Sequence, residues 1–258
     1  MEARTIDARR MTRFEPKTYG DRIASVYDER EANVVVDETL LKFLKNLAGK
    51  GRVLEFGIGT GRVALPLTAK GVRVDGVDAS RAMVAELRKK PHGRDLRVRI
   101  GNMATVDMGT RYSLVYVVFN TFFHLTNQND QVRCFENAAR HLARGGYFVL
   151  ETFFPDLSRF ARDQSVTVKE VDLNRVWVNF SVLDRSGQKV TSQDAKIEEA
   201  EVELYPNQIR FAWPSELDLM ARLSGFRLAR RYGGWDKRPF RADTNEMYVS
   251  VYQRTGAR

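Results

Sequence analysis

The sequence predicts an α/β chain: a doubly wound, mostly parallel seven-stranded sheet that carries an inserted antiparallel β subdomain. Three observations predict it. From Arg52 to Leu150, short apolar runs of strand length alternate with helix-period stripes, the mark of parallel strands joined by right-handed crossovers. After Pro155 the apolar period switches to two, as in antiparallel pairs. The helix–strand rhythm then resumes at Pro214. With 258 residues, 43% of them hydrophobic, the chain is long enough for one sizeable core and a small appended unit.

Residues 1 to about 17 are charged and aperiodic and read as a tail. Two helices follow. The second carries Val36, Leu40, Phe43, Leu44 and Leu47 on one face, with Gly49 where a C-terminal cap belongs. Residues 53–56 form the first buried strand. A helix over 61–69 follows, in which Pro66 is tolerable only near the first turn. A second strand covers 72–77, and Ser80 suits the N-cap of a helix over 81–89. The third strand covers 96–100. The fourth, 114–119, is apolar throughout, as a strand covered on both faces should be. Val132, Phe135, Ala139 and Leu142 mark a helix face that Gly145 and Gly146 end, before a fifth strand over 147–150.

In the insertion, Val176, Val178, Phe180 and Val182 alternate with Trp177, Asn179, Ser181 and Leu183, and DRSGQ (184–188) reads as a turn. Ala200, Val202 and Leu204 alternate with Glu201 and Glu203. Pro206 is either a turn or an edge bulge. A helix over 214–225 has Pro at its start and Gly at its end, and strands over 226–231 and 247–252 complete the sheet. The expected division is a tail and helical cap over 1–50, a ligand-binding domain over 51–155 and 213–258, and an inserted β lid or dimerisation subdomain over 156–212. Apolar alternation on both faces of the insertion, with Trp177 and Leu183 opposite the valines, leans toward burial on both sides and hence a homodimer.

The net charge of +9 invites a nucleic-acid partner. However, the basic residues are interleaved with acids and their runs are short, so a basic solvated surface is the expectation. The first residues lack an apolar h-region, and no segment is long enough to span a bilayer. One cysteine, Cys134, excludes an internal disulfide and a cysteine-rich metal site; it lies on an apolar helix face and reads as a buried small hydrophobe. A soluble, cytoplasmic protein without a metal is expected.

The stretch VLEFGIGTG (53–61) carries the chemistry. A dinucleotide loop reads G-x-G-x-x-G, but here the third glycine, Gly61, comes one residue early and Arg62 takes its place. No Gly-Lys-Ser/Thr follows, so the phosphate-loop pattern fails too. Glu55 stands two residues before Gly57; a carboxylate there repels phosphate and attracts an ammonium group. Asp78 ends the second strand 21 residues after Gly57, where a carboxylate accepts both ribose hydroxyls. A ligand with an amino-acid end, a ribose and no phosphate is S-adenosylmethionine.

On Glu55, Gly57, Gly59, Gly61, Asp78 and Gly101-Asn102-Met103, the chain resembles the class I S-adenosylmethionine-dependent methyltransferases. The resemblance spans about 20–155 and 213–253 and implies their Rossmann-like fold and their cofactor. It implies that Asp78 and Ala79 flank the ribose and that Asn102 and Met103 frame the adenine, with Asn102 in place of the commoner Asp. More narrowly, Tyr19 and Tyr27 in YGDRIASVYDE, the insertion and the Trp-Pro-Ser-Glu-Leu helix look like amino-sugar N-methyltransferases of natural-product pathways. In those enzymes the two tyrosines cap cofactor and acceptor.

Ligands in open parallel sheets bind beyond the carboxyl ends of the strands. Those ends present Phe119-Asn120-Thr121-Phe122-Phe123-His124, Glu151-Thr152-Phe153 and 232–235. Phe119 is expected against the cofactor, and Asn120, Phe123, Phe153 and Trp235 against the acceptor. At least one of Phe119, Phe122 and Phe123 is core, and Trp235 is either a pocket or an interface aromatic. Tyr19 and Tyr27 either cap the site or tie a helix to the core. Glu151 reads as a strand-end carboxylate. His124 is either the general base or a residue that caps or packs the next helix; His92 and His141 read as surface residues. The leading function is methyl transfer to N or O of a small molecule. RNA, DNA or protein methylation is the rival, but no Asn/Asp-Pro-Pro-aromatic tetrapeptide follows the fourth strand and no Pro-Cys or Thr-Cys nucleophile is present. A cofactor-binding cyclase or non-catalytic partner of the same fold is the third reading.

Overall fold

A computed structural model describes the chain except residues 1–13, 16, 32–35, 200, 245 and 256–258. Most of the expected tail and Ala200 therefore lie outside the described residues. In chain order the elements are α1 (Thr18–Ile23), α2 (Tyr27–Arg30), α3 (Glu38–Ala48), β1 (Val53–Phe56), α4 (Ala64–Ala69), β2 (Val74–Asp78), α5 (Arg81–Lys89), β3 (Arg97–Ile100) and β4 (Tyr112–Val117). A 3₁₀ turn (Thr121–His124), α6 (Gln128–His141) and β5 (Leu142–Phe153) follow. The insertion supplies β6 (Gln164–Val171), β7 (Arg175–Asp184), β8 (Lys189–Glu198) and β9 (Glu201–Arg210). The chain closes with α7 (Pro214–Leu223), β10 (Phe226–Tyr232) and β11 (Met247–Arg254).

The seven-stranded sheet has the order β10-β11-β5-β4-β1-β2-β3. β1 to β5 are mutually parallel, and β11 runs antiparallel to both of its neighbours. The order reverses between β1 and β4, which opens a crevice at their carboxyl ends. Local chemistry fixes the helices that border it. The Asp37 carboxylate accepts Leu40 N–H at 2.8 Å to start α3, and Ser80 Oγ accepts Met83 N–H at 3.1 Å to start α5. Pro66 falls in the first turn of α4, where its missing N–H costs nothing.

Apolar clusters fill both faces of the sheet. On one face Phe135 of α6 meets Phe148 edge-to-face at 5.1 Å and Tyr252 at 5.5 Å. The α6 face is rotated from the expected one: Gln131, Cys134, Phe135, Asn137, Ala138 and His141 are its buried residues. His141, expected at the surface, is buried because its Nε2 accepts Met108 N–H at 2.9 Å while Nδ1 meets Asn137 O at 2.9 Å. Strand β5 starts at Leu142 rather than at residue 147 and takes in Gly145 and Gly146, and its pairing with β4 shifts register between Tyr112 and Leu114.

The insertion is a four-stranded antiparallel sheet, β6-β7-β8-β9. Pro206 sits in the ladder of edge strand β9 opposite Gln193, with no turn there, as an absent N–H permits on an edge. The buried Arg210 anchors this sheet to the main domain: its guanidinium donates to Gln131 Oε1 at 2.5 Å and pairs with Glu216 at 2.7 Å. One face meets the helical cap, where Arg30 of α2 pairs with Asp194 of β8 and lies over the Trp177 ring. The other face leaves Val166, Val168, Phe180, Val182, Val202 and Leu204 exposed. Among the described residues, no helix is long and apolar enough to cross a membrane.

Candidate active site

A cavity of about 640 Å³ opens at the carboxyl ends of β1 to β5, beneath α1 and α2. Its floor is the loop after β1. Gly57 (φ 77°) and Gly59 (φ 52°) hold left-handed conformations there that residues with a Cβ reach only at a cost. A Cβ on Gly57 would lie 2.3 Å from Thr121 Cγ2, whereas one on Gly59 would meet no protein atom closer than 4.0 Å and would project beside the cavity. Gly61 (φ 81°) does not line the cavity: a Cβ on it would strike Leu87 Cδ1 at 2.4 Å. Its service is to the packing of α5 rather than to a ligand.

Glu55 differs from expectation in the same way. Its side chain is buried beneath the loop, outside the cavity wall, and its Oε2 accepts from Tyr116 OH at 2.8 Å. Burial pushes its pKa up to about 8, opposed by the Tyr116 and Ala64 hydrogen bonds. It braces the loop from below and presents no charge directly to a ligand.

Asp78 lies where expected, at the end of β2 on the cavity wall with Ala79. Its Oδ2 accepts Gly59 N–H at 2.7 Å and its Oδ1 accepts Ser80 N–H at 2.8 Å. Burial raises its pKa, and those two N–H groups oppose the shift. Each carboxylate oxygen keeps a second lone pair, so the side chain can still take two ribose hydroxyls. Asn102 and Met103 line the wall beyond β3. Asn102 Oδ1 already accepts Ala104 N–H at 2.8 Å, so an adenine amino group would share that oxygen.

The cap closes over this floor. Asp21 of α1 accepts from Ser80 Oγ at 2.6 Å, and Asp28 of α2 accepts from Thr60 Oγ1 at 2.6 Å and pairs with Lys90 at 2.6 Å. These bonds hold Tyr19 and Tyr27 on the cavity wall. The Tyr19 ring stacks on His124 at 5.0 Å, and Arg62 lies over the rings of both Tyr27 and Phe119.

The loop after β4 is strained and clipped. Phe119 (φ 54°) and Asn120 (φ 62°) are consecutive left-handed residues, a conformation that persists only when its surroundings enforce it. Glu151 Oε2 accepts Phe119 N–H at 2.9 Å, and Asn120 Oδ1 accepts Phe153 N–H at 2.6 Å. Glu151 Oε1 also accepts from Trp235 Nε1 at 2.6 Å, so one buried carboxylate fixes two walls of the cavity. Burial raises the pKa of Glu151, against those donors. Phe119, Asn120, Phe153, Trp235 and His124 all line the cavity. Phe123 does not: it is fully buried in the core, edge-on to Phe153 at 5.0 Å. His124 is only partly covered at the cavity wall, yet it sits deep enough that burial lowers its pKa to about 4. Its Nδ1 is covered and has no hydrogen-bond partner among the described residues.

Several wall residues escaped the sequence reading: Glu31, Asp37 and Leu40 from the cap side, Met247 at the start of β11, and Lys169, Asn207 and Ile209 from the inserted sheet. Met247 carried a signal in retrospect, since an antiparallel strand brings its first residue to the carboxyl end of β5, where Met247 pairs with Phe153.

Comparisons with known proteins agree with this geometry. A model of the methyltransferase domain matches residues 53–146. The chain is 35% identical to the CcbJ methyltransferase of Streptomyces caelestis, covering 94% of this chain and 100% of that structure at a TM-score of 0.87. It is 27% identical to the cypemycin N-terminal methyltransferase of a Streptomyces species over 91% of this chain and 97% of that protein. S-adenosylmethionine-bound CalS10, an amino pentose methyltransferase of Micromonospora echinaspora, shares the fold at a TM-score of 0.68 and 23% identity, covering 89% of this chain and 97% of that one. A glycine floor open to the cavity and a carboxylate at the end of β2 suit S-adenosylmethionine, and the relatives place the chain in the family of S-adenosylmethionine-dependent methyltransferases.

Proposed function

We propose that this enzyme methylates an amine nitrogen of a small natural-product molecule in the cytoplasm. The single observation that carries the proposal is His124: an imidazole on the wall of the cofactor cavity whose covered Nδ1 has no hydrogen-bond partner among the described residues and whose pKa burial lowers. The relatives support the choice of nitrogen, since the cypemycin enzyme is named for an N-terminus and a Saccharopolyspora spinosa relative, 30% identical over 40% of this chain, for N,N-dimethylation of an amino sugar nucleotide. The buried, unpaired Cys134 suits a cytoplasmic setting.

The roles follow from the walls. Asp78 and Ala79 would hold the ribose, Asn102 and Met103 the adenine, and Gly57, Gly59, Phe119, Tyr19 and Tyr27 the methionyl end. When bound, S-adenosylmethionine supplies a methyl group on a sulfonium, which leaves as S-adenosylhomocysteine once the methyl has moved to nitrogen. Asn120, Phe153 and Trp235 orient the acceptor and exclude water; alignment of this kind is worth several kcal/mol, up to about 7–11 in the best cases. His124 takes the proton the nitrogen sheds. Burial lowers its pKa to about 4, which keeps the imidazole neutral at pH 7 but makes it a weak base, so its contribution falls toward the low end of the about 10²–10⁴ that a positioned base supplies. His124→Ala, folded by circular dichroism, is expected to lose at least about tenfold in turnover by S-adenosylhomocysteine release; unchanged turnover across the pH range removes the histidine as base.

The finer reading of the insertion is a homodimer formed through the outer face of β6–β9. Val166, Val168, Phe180, Val182, Val202 and Leu204 make that face apolar and exposed, larger than an isolated surface hydrophobe. Four strands of such length span about 600 Å² of face, close to the roughly 800 Å² that a standard interface takes from each partner. Light scattering at micromolar concentration should give twice the chain mass, and Phe180→Lys should give the chain mass. A monomeric parent protein would refute the dimer.

A further inference from the structure

The cap over the cavity is fastened on two sides. α1 and α2 have six and four residues, and neither N-cap residue makes a side-chain hydrogen bond; helices this short do not hold themselves in water. Toward the glycine floor, Asp21 and Asp28 accept from Ser80 and Thr60. Toward the inserted sheet, Arg30 pairs with Asp194, and Asn179 Nδ2 donates to the same carboxylate at 2.5 Å. The Arg30 guanidinium also lies over the Trp177 ring at 5.3 Å, and Trp177 stacks on Tyr205 at 5.6 Å. Tyr205 of β9 shares one buried cluster with Ile23 and Ala24 of the cap and Met83 of α5. Arg30, Trp177 and Asp194 do not line the cavity, yet Tyr27 and Glu31 at the two ends of α2 do, and so does Tyr19. Burial raises the Tyr19 pKa and the Arg30 guanidinium opposes the shift, so that charge acts on the phenol.

Stability alone does not account for the ion pair. The Arg30 and Asp194 side chains are 17% and 7% exposed, and Arg30 Nη1 is covered with no hydrogen-bond partner among the described residues. Taking two charges out of water costs about what their attraction returns, and an unmet donor adds to the cost. An apolar contact would fasten the cap as firmly. What a planar guanidinium adds, set on a carboxylate and over an aromatic face, is one defined geometry. We propose that Arg30 is a positioning residue for the cofactor site: clasped to Asp194, it sets Tyr19 and Tyr27 over the cavity, so that the inserted sheet governs how tightly the cofactor is held. The inference rests on the reading of this cavity as a methyltransferase site. The same sheet lines the cavity through Lys169, Asn207 and Ile209. A ligand that shifts the sheet therefore shifts cofactor affinity, and the coupling is reciprocal.

The test uses the full chain. S-Adenosylhomocysteine is titrated by calorimetry into the parent, Arg30→Met, Asp194→Asn and the double variant, each folded by circular dichroism and held well below its Tm. Each single variant is expected to bind at least about fivefold more weakly. The double variant should match the weaker single within about twofold, because both changes remove one interaction. Arg185→Met, which breaks the exposed pair with Asp163 at the β7–β8 turn of the same sheet, should bind as the parent does. Amide exchange over residues 18–30 of the free protein, read by mass spectrometry, should be at least about tenfold faster in Arg30→Met. Should that variant fail to fold, Arg30→Lys keeps the charge without the planar fork and should bind between parent and Asp194→Asn. A clasp that serves stability alone lowers Tm and leaves the affinity of the folded protein unchanged. Affinities within about twofold of the parent, additive losses in the double variant, or unchanged exchange over the cap each overturn the proposal. A parent that does not bind S-adenosylhomocysteine overturns the methyltransferase site itself, and exchange over the cap still decides whether Arg30 holds it.

Discussion

Asp78→Ala is expected to weaken S-adenosylhomocysteine binding by at least about a hundredfold. Charge-assisted hydrogen bonds are worth roughly 1.5–3 kcal/mol each, so losing two to the ribose removes about 3–6 kcal/mol, where 1.4 kcal/mol is tenfold. The same carboxylate accepts Gly59 N–H at 2.7 Å and Ser80 N–H at 2.8 Å, so its loss also releases the glycine floor from the end of β2. Calorimetric titration reads the effect directly. Adenosine, which keeps the ribose, should lose affinity in proportion. A variant that binds S-adenosylhomocysteine within about threefold of the parent would mean that the ribose lies elsewhere.

Glu151→Leu is expected to be the most damaging single change near the site for stability. It strips the acceptor from Phe119 N–H and from Trp235 Nε1–H at once, at about 1–3 kcal/mol for each buried donor left unpaired. It also unclips the consecutive left-handed residues Phe119 and Asn120. A total loss of about 2–5 kcal/mol corresponds to a fall in Tm of roughly 5–15 °C for a chain of this size. Glu151→Gln should fall between leucine and the parent, since its amide keeps one acceptor oxygen but turns an N–H₂ toward a donor. Scanning calorimetry decides. A Glu151→Leu Tm within about 2 °C of the parent would show that the turn holds itself.

Much of the site was legible in the sequence because backbone geometry dictates it. A left-handed glycine at Gly57 and a carboxylate at the end of the next strand are demands of the fold, and such demands leave fixed spacings in the chain. Glu55 was misread because a four-residue strand buried on both faces gives no alternation to say which way a side chain points; only the position of Tyr116 on the neighbouring strand decides it. Phe123 and Phe122 are alike in sequence, and the 3₁₀ turn sends both into the core while His124 meets the cavity. His141 lies at the end of a helix that reads as amphipathic, and its burial depends on a distant N–H donor, Met108. Lys169, Asn207 and Asp37 reach the cavity from elements whose own periodicity concerns other contacts, so nothing local marks them.

The stretch between β5 and β11 leaves and rejoins the sheet at one pair of neighbouring strands. Phe153 at the end of β5 pairs with Met247 at the start of β11, and Phe154 N–H donates to Glu246 O at 2.7 Å directly beyond. Between these tied ends the chain makes the inserted sheet and then returns through α7 and edge strand β10. Doubling the length of such an excursion adds only about 0.6 kcal/mol of closure entropy. Chains sharing this sheet can thus lengthen, shorten or rebuild the inserted β6–β9 segment while β1 to β5 stay unaltered.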